Sequence, residues 1–154
     1  MMEKNIFVAD LAAMKRFAFA VARHAKPGFV IGLAGDLGSG KTTFTKYLAE
    51  AMGIQDVVNS PTFTILKIYR GTIPLYHMDV YRLETIGYDW SLEEYIDGDG
   101  VAVIEWYPYV GAMLPKNLLS IDIRATGETA REIRIKGEGE YDKVVEDVVR
   151  RYGN

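Results

Sequence analysis

The segment Gly35-Asp36-Leu37-Gly38-Ser39-Gly40-Lys41-Thr42 is a complete G-x-x-x-x-G-K-[ST] phosphate-binding loop, and its flanks leave few folds open. Before it, Phe29-Val30-Ile31-Gly32-Leu33-Ala34 reads as a buried strand; after it, Thr43 to Met52 reads as a helix. The order matters physically. A strand delivers the chain into a tight turn whose amides curl around phosphate oxygens, and the following helix aims its positive end at the same anion. Gly35, Gly38 and Gly40 let the backbone take up positive φ and approach the anion closely. In this motif the lysine, Lys41, reaches the β- and γ-phosphates and the hydroxyl of Thr42 holds Mg²⁺. The expectation is a nucleoside triphosphate site in an α/β fold.

The rest of the composition narrows the setting. A chain of 154 residues suits one compact domain, 1–154. Its net charge of −3, from 18 basic and 21 acidic residues, argues against a dedicated nucleic-acid binder, whose footprint is normally strongly basic. With no cysteine, thiol catalysis, cysteine metal sites and disulfides are excluded, which fits a cytoplasmic setting. No stretch reaches the roughly 18 apolar residues of a membrane span, so no membrane partner is expected.

Asp10 is placed to cap a helix running to about His24, with Lys26-Pro27-Gly28 as its stop. Residues 62–79 alternate as two strands around Arg70-Gly71-Thr72, an antiparallel hairpin that makes the sheet mixed. Residues 84–100 are polar and irregular, with a short helix expected near Ser91–Tyr95. Val101 to Ile104 is a continuous apolar run ending at Glu105, the pattern of a strand buried on both faces. Two further strands, near 118–124 and 130–136, form a second hairpin. The last helix carries Tyr141, Val144, Val145, Val148, Val149 and Tyr152 on one stripe.

A phosphate loop needs a carboxylate to complete its metal site and a group to orient the attacking water. Glu105, at the carboxyl end of an apolar strand, sits where such acids lie. Asp79 ends another strand and reads either as a second such acid or as a cap of the next turn. His77, two residues earlier on the same face, makes a metal pair with Asp79 or, more simply, a hydrogen-bonded pair, since two ligands make no zinc site. Arg82 reads equally as a phosphate contact and as the partner of a nearby carboxylate. Trp106 alone is a core or edge aromatic before it is a stacking platform. Ser60 and Thr62 lie in a hydroxyl-rich segment that is either a plain turn or a γ-phosphate-sensing loop.

Together, GDLGSGKTTF at 35–44, SPTF at 60–63, HMDVYRL at 77–83 and VIEW at 103–106 resemble the TsaE (YjeE) family of bacterial tRNA-modification ATPases. The resemblance covers nearly the whole chain. It implies a P-loop NTPase fold, with a mixed central sheet, antiparallel hairpins and helices on both faces. It also implies ATP held by residues 38–43 and Mg²⁺ on Thr42 and Glu105, with Asp79 supporting metal and hydrolysis. Ser60, Thr62 and Trp106 would line the site or its switch, and Asp10 would lie near the adenine. The implied role is to serve the TsaB–TsaD pair, which modifies adenosine 37 of tRNAs reading codons that begin with A. A weak ATPase would reset that complex, and tRNA would be met only through it. Ser39 stands where alanine is common in the family, and Tyr107-Pro108-Tyr109 replaces an acid that many members carry after the tryptophan.

Three other classes compete. A small-molecule kinase shares the loop, but residues 108–129 hold only Lys116 and Arg124, poor material for an arginine-bearing lid. A GTPase needs an N/T-K-x-D base-reading segment, and none is present. A nucleotide-gated binding module differs from a slow ATPase only in degree.

Overall fold

The structure is a computed structural model that describes residues 1–59 and 65–153. Among these, seven strands form one sheet in the order β1-β7-β6-β2-β5-β4-β3. They are β1 (Met2–Val8), β2 (Val30–Ala34), β3 (Leu66–Tyr69), β4 (Leu75–Asp79), β5 (Val101–Glu105), β6 (Leu119–Ala125) and β7 (Arg131–Gly137). The helices are α1 (Leu11–Ala22), α2 (Lys41–Ala51), α3 (Glu93–Ile96) and α4 (Tyr141–Tyr152). The sheet is mixed. β6, β2, β5 and β4 run parallel, and hairpins β3–β4 and β6–β7, with β1 against β7, add antiparallel edges.

Helices lie on both faces, unequally. α1, α2 and α4 cover one face, where Phe17, Phe44, Leu48, Val145 and Val148 pack on Ile31, Leu33, Val103, Ile121 and Ile133. Each fully buried Leu, Ile or Phe contributes about 1.5–3 kcal/mol relative to exposure. The other face, Val30, Tyr76, Met78, Ala102 and Ile104, is covered by α3 and by 3₁₀ turns at Tyr81–Leu83, Trp90–Leu92 and Tyr107–Met113. Beyond these turns the sheet is open, and Arg124 pairs across strands with Glu132 at 2.6 Å.

The local reasons are plain. Asp10 caps α1 by accepting from the Ala13 amide at 2.9 Å. α2 ends at Met52 and Gly53, whose φ of +78° lets the chain turn away. All five residues of β5 are buried, as its apolar run requires when parallel neighbours and packed layers enclose it. β1 stands where no element was expected. It is an edge strand, and Lys4, which shares its inner face with Ile6 and Val8, is exposed, so the strand lacks clean alternation. Among the described residues no helix is long and apolar enough to cross a membrane.

Candidate nucleotide site

β2 ends at Ala34, and the chain turns through Gly35–Gly40 into α2. Gly35, at φ +147°, could not be another residue, because a Cβ there would lie 2.4 Å from the Ile123 carbonyl oxygen and 2.5 Å from Ser39 Oγ. Gly40, the residue before α2, has φ +111°. Among the described residues the amides of Gly38 and Gly40 donate to no protein acceptor. Ser39 is 2% exposed and its Oγ has no partner. Unsatisfied donors around a helix N-terminus make an anion cradle.

Lys41, on the first turn of α2, is 6% exposed. Its Nζ donates to the Gly35 carbonyl at 2.6 Å and lies 3.8 Å from the centre of the Trp106 ring. Burial pulls its ammonium below its ordinary pKa, against the opposing attraction of Glu105, Asp79 and Asp36. The lysine thus rests on a loop carbonyl and an aromatic face, in the field of three carboxylates.

Asp79 and Glu105 are register partners at the ends of β4 and β5, which brings the two acids side by side at the sheet edge. Burial raises the Asp79 pKa, opposed by the Tyr81 amide that donates to its Oδ1 at 3.0 Å. Glu105 is 3% exposed, and Oε2 accepts from His77 Nε2 at 2.5 Å. This corrects the expected His77–Asp79 pair. Both side chains of that pair do share a face of β4, but Asp79 caps the following turn while His77, fully buried, reaches across to Glu105. His77 Nδ1 has no partner among the described residues.

Lys41, Thr42, Asp79, Glu105 and Trp106 converge on the carboxyl edge of β2, β5 and β4. The Asp10 carboxylate is occupied in capping α1, and Arg82 is exposed with no ion pair among the described residues. Ser60 and Thr62 lie outside the described residues.

Arg131 belongs to no motif. From the start of β7 its Nε donates to the Ser39 carbonyl at 2.6 Å and its Nη2 to that of Gly38 at 3.4 Å, fastening the loop from behind. Its signal was its position. Arg131 shares the inward face of β7 with Ile133 and Ile135, and an arginine at an inward position needs buried acceptors. Trp106 also carries more than sequence suggested. Among the described residues it is the single non-glycine residue with positive φ, +64°, which turns its ring back over Lys41.

The donor set suits a magnesium-bound nucleoside triphosphate. The loop offers amides and an ammonium to phosphate oxygens. Two carboxylates and the Thr42 hydroxyl are the oxygen-only, incomplete set that magnesium shares with phosphates and water. Glu105 keeps its second oxygen free of His77.

The sequence profile described as threonylcarbamoyl adenosine biosynthesis protein TsaE matches residues 8–133. The Bacillus subtilis tRNA threonylcarbamoyladenosine biosynthesis protein TsaE is 49% identical over 138 residues, 88% of this chain and 87% of that protein. The Treponema pallidum protein of the same name is 43% identical over 122 residues, 78% of this chain and 90% of its own. The crystal structure of Bacillus subtilis YdiB superposes with a TM-score of 0.84 at 39% identity, covering 99% of this chain and 97% of that one.

Proposed function

The chain belongs to the TsaE family, and from that membership we propose that it is a Mg²⁺-dependent ATPase coupled to the TsaB–TsaD pair. Its pathway is tRNA threonylcarbamoyladenosine biosynthesis. The observation that carries the finer reading is the convergence of Lys41, Asp79 and Glu105 beside a glycine loop with unsatisfied donors.

In this reading the amides of residues 38–43 and Lys41 Nζ bind the triphosphate of ATP. Lys41 Nζ spends one of its three donors on the Gly35 carbonyl and has two left for these charged acceptors. Thr42 and Glu105 hold the metal, with Asp79 beside them. When bound, Mg²⁺ neutralises charge on the phosphate oxygens. His77 holds the Glu105 carboxylate in one orientation, and Asp79, with Oδ1 on the Tyr81 amide, turns its other oxygen to an attacking water. Trp106 shields Lys41 from solvent. Nothing here requires the subunit to grip tRNA, which it meets through its partners.

The test is ATP hydrolysis by the purified chain, alone and then with TsaB, TsaD and tRNA. Slow turnover that rises with the pair, and a complex that depends on nucleotide, are expected. No complex in any nucleotide state would remove the coupling role and turn attention to small phosphoryl acceptors, as for a kinase.

A further inference from the structure

Between β4 and β5 the chain leaves the sheet, and its outer surface carries residue types that water does not favour. Tyr81, Ile86, Tyr88 and Trp90 are 51, 60, 45 and 55% exposed. Ile86, Tyr88 and Trp90 leave the core to Leu83, Leu92 and Ile96 of the same segment, while Tyr81 packs edge-on against Trp106 with ring centres 5.0 Å apart. Tyr88 and Trp90 stack with ring centres 5.3 Å apart, so their shape is set before anything binds. Exposed aromatic side chains gathered on one segment mark a protein contact.

The surrounding charge says which kind. Glu84, Glu93, Glu94 and Asp97 are exposed, and among the described residues none has an ion pair. Against them stands Arg82, in a chain whose whole net charge is −3. Unpaired carboxylates around an apolar centre repel a phosphate backbone and repel a second copy of the same face. They attract a surface that sets lysines and arginines around an apolar recess. The face also adjoins the nucleotide site. A Cβ on Gly87 would lie 3.7 Å from the Tyr109 carbonyl oxygen, Tyr109 stacks on Trp106 at 5.6 Å, and Trp106 covers Lys41.

We propose that the face from Tyr81 to Asp97 docks a basic patch of a partner protein, with Ile86 and Trp90 as apolar anchors. The proposal rests on the coupling role above, so its probe is the TsaB–TsaD pair. Wild type, Trp90→Ala and the double variant Glu93→Lys/Glu94→Lys are titrated into that pair with ATP at low and high salt, by calorimetry. Nucleotide affinity and melting temperature are measured in parallel. Trp90→Ala is expected to weaken binding about tenfold or more, the size of an interface anchor. The double variant should weaken binding at low salt and flatten its salt dependence, with nucleotide affinity unchanged in both. Wild-type affinity for the pair in both variants would overturn the surface. Tighter capture of tRNA by the wild type than by Trp90→Ala, with binding to the pair equal, would also overturn it, by assigning the face to nucleic acid. Failure of the wild type itself to bind the pair would overturn the coupling role and this assignment with it.

Discussion

Lys41 and Trp106 form the contact on which the site turns. Lys41 Nζ lies 3.8 Å from the indole centre and uses one of its three donors on the Gly35 carbonyl, so a phosphate drawn to the ammonium changes the field over that ring. Nucleotide addition should therefore change Trp106 fluorescence, read in a Trp90→Phe background because the chain has 2 tryptophans. In Lys41→Ala the response should vanish and nucleotide affinity should fall by about tenfold or more, since a charge-assisted contact is lost. An unchanged affinity would move the phosphate site elsewhere. Glu105 and His77 separate chemistry from stability. Glu105→Gln keeps an oxygen for His77 but removes the charge, so hydrolysis should fall more than nucleotide affinity. Undiminished hydrolysis would pass the role to Asp79. His77→Leu leaves a buried carboxylate unpaired and should cost about 3 kcal/mol of stability by urea unfolding.

At the scale of elements, the turn after α1 is joined to α4 where His24 Nε2 meets Asp147 Oδ2 at 2.7 Å, with Arg150 and Arg151 on the same carboxylate. Burial alone would raise the Asp147 pKa, but the hydrogen bonds from Arg151, His24 and Arg150 outweigh it and bring the group down to about 2 from 3.8. A carboxylate depressed in the folded state stabilises above its unfolded pKa and loses that contribution as pH falls through the folded one. The wild type should therefore lose stability between pH 3.8 and about 2 more steeply than Asp147→Asn, in melting temperatures taken across that window. Elements with strong periodicity were legible in advance: α1, β2, α2, β5, the β6–β7 hairpin and α4 stand where their apolar patterns put them. β1 was not, because an edge strand has no need to alternate cleanly. The site divides in the same way. The loop motif and two strand-end acids were readable from local pattern, whereas the His77–Glu105 contact depends on the register of two strands far apart in sequence. Arg131 depends on a register farther still.

Across the whole molecule, protection is uneven by construction. β2, β5 and β6 lie inside the sheet with long helices on one side, while β1 and the connection from Tyr81 to Gly100 lie at its margins. Amide exchange followed by mass spectrometry should be slowest in β2, β5 and β6 and faster in residues 81–100, and equal rates in the two would contradict this layering. One long-range tie has a consequence in time. The loop at 35–42 is made early, but the guanidinium that fastens the carbonyls of Gly38 and Ser39 arrives only with residue 131. β1, made before that loop, waits for the same hairpin as its neighbour. During synthesis, then, the loop at 35–42 goes without this tie until most of the 154 residues have been joined.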